Sequence, residues 1–164
     1  MTVAAPMLLI RAAVLGDEQR LAVLNGFVQD LHVAKRPDSF KPSAQDEVVE
    51  WFRGLLENTL ARMWIAEEDG TAVGYVLAMV QERSENPFCR SRRWCEIDQI
   101  AVDPGYRRRG VASALIEKAL TEAAADGFAE VELCTWSFNV EAQSLFRKFG
   151  FQPKFLRWER KKEP

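Results

Sequence analysis

Residues 97–113 read IDQIAVDPGYRRRGVAS, and the fold follows from this stretch. Ile97, Ile100 and Val102 favour an extended chain, and Asp103, Pro104 and Gly105 stop it. Beyond the three arginines, Val111, Leu115, Ala119, Leu120 and Ala123 recur at helical spacing, so a helix is expected over residues 109–126, with Gly127 as its stop. Residues 131–134 follow as a short apolar strand. A strand, a long helix and a strand at this spacing read as a right-handed crossover between two parallel strands.

The junction between the strand and the helix carries chemistry of its own. The first N–H groups of a helix have no intrahelical partner. Gly110 has no side chain to cover them, Ala112 and Ser113 are small, and Arg107, Arg108 and Arg109 add charge at the positive end of the helix. Bare donors, little cover and flexible cations suit a diphosphate, although an ordinary solvated turn can share the composition. The lysine and hydroxyl pattern of a P-loop is missing, and Gly105 and Gly110 do not have the spacing of a dinucleotide fingerprint.

Outward from the junction, the remaining elements complete one mixed α/β domain over residues 1–164. Towards the N-terminus, residues 8–13 alternate as a short strand near an edge. Asp17 and Glu18 open a helix whose stripe is Leu21, Leu24, Val28 and Leu31, and Pro37 ends it. Ser43 is the next expected N-cap, before Val48, Val49, Phe52, Leu55 and Leu56. Residues 62–67 and 73–80 form a hairpin around Asp69 and Gly70, and Gly74 marks a bulge or a close approach. Towards the C-terminus, a second late helix over 139–149 carries Ala142, Leu145, Phe146 and Phe149, followed by an extended segment over 151–158 and a charged tail expected to fray. Trp51 and Trp64 read as core residues, and Trp158 as an exposed aromatic available to a partner subunit.

Composition narrows the class. The chain has 164 residues, 48% hydrophobic and 28% charged, which fits one globular domain and argues against general disorder. A net charge of −2 gives no electrostatic reason to bind nucleic acid or an anionic membrane. Cys89, Cys95 and Cys134 are odd in number and widely spaced, so no disulfide framework is implied and a reducing cytoplasm is the expected home. Residues 1–10 are apolar without a preceding basic segment, too short for a signal peptide or a membrane span, and no later run is long enough to span. The lone His32 lies far from the cysteines, so no metal is expected.

With these residues in view, 97–113 resembles the acetyl-CoA motif of the GCN5-related N-acetyltransferase (GNAT) superfamily, R/Q-x-x-G-x-G/A, at Arg107, Gly110 and Ala112. A second likeness follows at Asn139, Ala142, Phe146, Gly150 and Phe151, similar to the family's asparagine and A-x-x-x-Y-x-x-x-G-F. The resemblance covers most of the chain. It implies a single-domain GNAT-like fold, with a mixed, mostly antiparallel central sheet, helices on both faces and a central parallel strand pair. It also implies acetyl-CoA as the acyl donor. The pyrophosphate would sit on the amides of Arg108, Arg109, Gly110, Val111, Ala112 and Ser113, and the pantetheine would lie along Ile100, Ala101 and Val102 like a short added strand. Asn139 would hydrogen-bond the cofactor arm, and the helix of Phe146 would flank the thiol end. Where the family often has a tyrosine acid this chain has Phe146, which has no transferable proton. Family members are commonly dimers, so a homodimer is expected.

Acylation needs a neutral amine, and a carboxylate near the thioester can take its proton. Glu96 and Asp98 lie on the strand leading to Val102, and an ideal strand places Glu96, Asp98, Ile100 and Val102 on one face. Glu96 is the first choice of base, with Asp98 in support. Candidates for the amine pocket are Phe27, Asp30, His32, Phe40, Glu82 and Trp136, each of which has an ordinary structural reading as well. The expected activity is acetyl transfer to a small primary amine. The alternatives are a protein or peptide N-acetyltransferase and a non-catalytic acyl-CoA-binding module.

Overall fold

The computed structural model describes residues 7–162. The expectations for the apolar start at 1–6 and for the tail's last residues, 163–164, lie outside the described residues. The chain divides into two compact units, Met1–Cys134 and Thr135–Pro164.

In chain order the first unit holds β1 (Leu8–Ala12), α1 (Glu18–Lys35), α2 (Gln45–Glu57), β2 (Ala61–Glu68), β3 (Thr71–Arg83), β4 (Arg92–Val102), a short 3-10 turn (Pro104–Tyr106), α3 (Val111–Ala125) and β5 (Val131–Leu133). The five strands make one sheet in the order β1-β2-β3-β4-β5. The first three pairings are antiparallel and β4–β5 is parallel, as the crossover through α3 requires. The parallel pair stands at the β5 end of this order and not at its centre. Residues 151–158 form no strand, and Pro153 within them has no N–H to give to a ladder.

Asp69 and Gly70 both take positive φ, at 50° and 80°, which is the two-residue hairpin geometry the sequence suggested. Gly127 does the same after α3, where the Phe128 N–H donates to the Ala123 carbonyl and the Gly127 N–H to that of Ala124.

Neighbouring residues of β3 show how the helices cover both faces of the sheet. Tyr75 is fully buried and meets Phe52 of α2 edge-on, with ring centroids 5.5 Å apart. Around it Leu21, Leu24, Met63, Ile65, Leu77 and Ala101 form a core under α1 and α2. Gly74 faces the other way. A Cβ there would lie 2.9 Å from the Ala101 carbonyl oxygen, 3.1 Å from Val111 and 3.2 Å from Leu115, so α3 packs onto bare backbone. Both readings of Gly74 hold in part: the close approach is at Gly74, and the β2–β3 register slips beside it, leaving Val73 as the extra residue.

The start of α1 differs from expectation in its cap. Asp17 occupies the N-cap position but makes no side-chain cap bond. Its buried carboxylate accepts instead from Arg11 at 2.7 and 2.9 Å, Arg20 at 2.9 Å and the Val14 N–H at 3.0 Å. The N-cap of α2 is Ala44, one residue beyond Ser43. Trp64 is buried as expected, whereas Trp51 is 47% exposed because the inward stripe of α2 is taken by Val48, Val49, Phe52, Leu55 and Leu56.

The second unit contains α4 (Val140–Lys148). Asn139 caps it by accepting from the Ala142 N–H at 3.3 Å. Gly150, at φ 83°, ends it, with the Phe151 N–H donating to the Phe146 carbonyl. Phe146 is buried and its ring meets that of Phe151.

Candidate active site

β4 departs from an ideal strand at the point where chemistry was expected. Leu77 pairs with Gln99 but Ala78 pairs with Ile97, so Asp98 is an extra residue bulged out of the ladder. The bulge reverses the side-chain alternation. Glu96 lies opposite Met79, and Gln99 and Ala101 lie opposite Leu77 and Tyr75, all on the α1–α2 side. Ile100 and Val102 lie opposite Val76 and Gly74, on the α3 side. The single face expected for Glu96, Asp98, Ile100 and Val102 is therefore not formed, because one inserted residue shifts the period of two.

Pairing with β5 covers only Cys95, Glu96 and Ile97. From Asp98 to Val102, no described strand pairs with the β4 edge that faces away from β3. This open edge runs into the turn. There the Asp103 carboxylate accepts from the Gly105 N–H at 2.8 Å, and the chain continues through Arg108 at φ 64° and Gly110 at φ 83°. α3 starts at Val111, two residues later than expected, because the left-handed Gly110 is its N-cap. No side chain caps the helix. Among the described residues, the amides of Arg108, Arg109, Gly110, Val111, Ala112 and Ser113 donate to nothing. Nothing lies within 4 Å of where a Gly110 Cβ would be. A carboxylate would already occupy a conventional cap, so these six donors and the space beside Gly110 fit an anion such as a pyrophosphate.

The three arginines divide the work. Arg109 pairs with Glu68 at 3.0 Å and lies over the Tyr106 ring. Arg107 and Arg108 are exposed and make no ion pair among the described residues, so their charge remains available.

On the α1–α2 side the Tyr75 hydroxyl donates to Gln99 Oε1 at 2.7 Å and accepts from Asn25 Nδ2 at 2.9 Å. Asn25 Nδ2 also reaches Gln99 Oε1 at 3.3 Å. With Oε1 occupied by two donors, the remaining hydrogen-bonding capacity of Gln99 is its amide N–H₂. Burial pushes the Tyr75 hydroxyl well above its ordinary pKa, and the Asp98 charge adds to that push. Above this network opens a cleft of about 250 Å³, lined by Asn25, Gln29, Glu47, Val48, Trp51 and Gln99, with Ser43 at its edge. Asp98 is exposed by surface area, yet the atoms crowded round its carboxyl remove enough water to raise its pKa above the usual carboxylate range. Glu96 is partly buried and accepts a long 3.4 Å hydrogen bond from the Trp94 indole.

A family model described as the Acetyltransferase (GNAT) family matches residues 26–151. The chain belongs to this family. Human N-acetyltransferase 8 is 33% identical over 101 residues, 59% of this chain and 43% of the relative. An uncharacterized N-acetyltransferase of Methanocaldococcus jannaschii is 32% identical over 104 residues, 63% of this chain and 45% of the relative. The chain thus spans less than half the length of these curated relatives. Among solved structures, a mutant of the BH1408 protein from Bacillus halodurans superposes with a TM-score of 0.89 at 20% identity, covering 94% of this chain and 99% of that one. The aminoglycoside N-acetyltransferase AAC(6')-Iy in complex with CoA gives a TM-score of 0.78 at 22% identity, covering 98% and 99%. These likenesses show the same GNAT fold.

The expected acceptor residues scatter. Phe27 packs against the core under α1 and α2. Asp30 is exposed on α1, and Glu82 is exposed and paired with Arg93 at 3.1 Å. His32 stacks on Phe40 at 4.7 Å, and burial lowers its pKa. None of these five lines the cleft. Trp136 belongs to the second unit, where it stacks on Phe138. The residues that do line the cleft escaped sequence reading because they are small polar groups or, like Trp51, were taken for core. The one available signal was Trp51 itself, out of phase with the apolar stripe of α2.

No group of three or more His, Cys, Asp or Glu able to hold a metal occurs among the described residues. No helix among them is long and apolar enough to cross a membrane. The three cysteines are unbridged.

Proposed function

We propose that this chain transfers an acetyl group from acetyl-CoA to a small primary amine, with residues 1–164 acting as one acyltransferase domain. The observation that carries the reading is the row of six undonated amides, from Arg108 to Ser113, at the end of an open strand edge. Those amides, helped by Arg107 and Arg108, would hold the pyrophosphate, and the backbone of Ile100, Ala101 and Val102 would pair with the pantetheine arm. When bound, the cosubstrate supplies an activated acyl carbon.

The acceptor enters by the cleft beside Gln99. Asp98, the bulged residue next to Gln99 and with a raised pKa, takes the proton from the amine as it becomes nucleophilic. This reading prefers Asp98 to Glu96, which the sequence favoured. Glu96 stays on the same side of the sheet and supports the negative potential. Asn139 commits its oxygen to capping α4, which leaves its amide N–H₂ as a donor. Phe146 has no proton to give, so no side-chain acid is assigned to the departing sulfur. The curated relatives include human N-acetylaspartate synthetase, and the solved structures an aminoglycoside N-acetyltransferase; both names denote small acceptors, which favours a small molecule over a protein. A cytoplasmic location and a homodimer belong to the same reading; unbridged cysteines support the first, and a Trp158 that is 85% exposed the second.

The test is thiol release from acetyl-CoA over a panel of polyamines, amino sugars, amino acids and short peptides. Turnover should appear with small amines. Because the base must be ionised, activity should rise with pH through an acid limb lying above the ordinary aspartate pKa of about 3.9. Asp98→Asn should lower kcat about a hundredfold and abolish that limb. An unchanged limb in Asp98→Asn, with its loss in Glu96→Gln, would move the base to Glu96.

A further inference from the structure

The cleft has a composition that the transfer reaction itself does not require. Its lining contains one carboxylate, Glu47, and no lysine or arginine. Glu47 makes no ion pair among the described residues. Trp51 lies one helical turn further along α2, so the two side chains project from one face. Trp51 is about half exposed, outside the apolar stripe, and no cation among the described residues stands over its ring. Every other large apolar residue named in that stripe packs towards the core. An unpaired carboxylate and a half-exposed indole that meets Phe52 at 5.1 Å between ring centroids, held one turn apart in a concavity without positive charge, are complementary to a cation. The wall formed by Gln99 differs in kind. It presents amide donors, which accommodate a neutral amine or an oxygen better than an ammonium.

We infer that Glu47 and Trp51 form a subsite for a second cationic group on the acceptor, so that the preferred substrates are diamines or amino compounds with a further ammonium. This rests on the proposed transfer reading for its placement: the reacting amine lies toward Gln99 and Asp98, and the charged remainder of the molecule lies on α2. Glu47 supplies the opposite charge and Trp51 a face that does not compete with water for hydrogen bonds. Neither touches the reacting nitrogen, so both act on binding and not on the chemical step.

The experiment compares diaminobutane with butylamine, in turnover and in calorimetric titration, for the wild type, Glu47→Gln and Trp51→Leu. Wild type should bind and use the diamine with a KM about tenfold lower than the monoamine, the order expected for one partly exposed charge contact and one cation–π contact. Glu47→Gln should erase that preference by raising the diamine KM about tenfold more than the butylamine KM. Trp51→Leu should do the same to a smaller degree. Turnover of both amines with equal KM, or a preference that survives Glu47→Gln, would overturn the subsite and leave the transfer reading standing. Diamine binding that Glu47→Gln abolishes, in a protein that releases no thiol with any amine, would overturn the transfer reading and leave the subsite standing. The absence of both binding and turnover would overturn both.

Discussion

On one side of β4 the chain offers backbone; on the other it offers side chains. The donor side consists of an open strand edge, the turn through Arg108 and Gly110, and six amides at the head of α3. The acceptor side is assembled from Asn25 and Gln29 of α1, Glu47 and Trp51 of α2, and Gln99 of β4, around a hydroxyl buried in β3. On the proposed reading, the first would hold the diphosphate mainly through backbone. The second can be rewritten one side chain at a time without disturbing the first.

The largest test of that separation is Gly74→Val, which attacks the support beneath the donor turn. Its branched side chain would collide with the Ala101 carbonyl, a backbone atom, and crowd the Val111 and Leu115 side chains. The expected loss is about 3 kcal/mol of stability. Lifting the first turn of α3 should also weaken CoA binding at least tenfold, measured beside urea unfolding. Unaltered CoA affinity in a destabilised variant would mean that the turn keeps its shape without α3 packing, and the comparison would need another foundation.

A smaller change probes the other side. Tyr75→Phe removes a hydroxyl that fixes Gln99, at a cost of about 1 kcal/mol. Freed from one of its two donors, the Gln99 amide can turn its oxygen into the cleft. The amine KM should rise about threefold with the acetyl-CoA KM unchanged. A parallel change in both constants would show the two sides coupled through β4.

The same division explains what the sequence could say. The donor site is contiguous: Pro104, Gly105, Arg107, Gly110 and Ala112 stand within nine residues, and backbone geometry follows from such local choices. Strand, turn, helix and the stops at Gly127 and Gly150 were legible for that reason. The acceptor cleft draws on three elements separated by as much as seventy-four residues between Asn25 and Gln99. Its residues carry no local pattern. The bulge was the harder loss. Nothing in Glu96, Ile97, Asp98 and Gln99 announces an inserted residue, yet that insertion decides which side chains of β4 share a face. Asp17 is a lesser instance, since an aspartate before a helix reads as a cap whether it bonds the helix or, as here, Arg11.

The smallest expected effect asks whether the donor side is backbone alone. Arg108 holds a left-handed φ of 64°, a conformation that costs a residue with a Cβ about 1 kcal/mol and that glycine adopts freely. Its guanidinium has no ion-pair partner among the described residues, so nothing internal repays the strain. Arg108→Gly should therefore stabilise the fold by about 1 kcal/mol in urea unfolding. If the side chain serves the diphosphate, CoA affinity should fall about threefold at low salt, with the difference shrinking as salt screens the charge. Equal affinity at every salt concentration would assign the whole anion seat to the amides, and would leave the strain at Arg108 as the geometry required to turn those amides to one side.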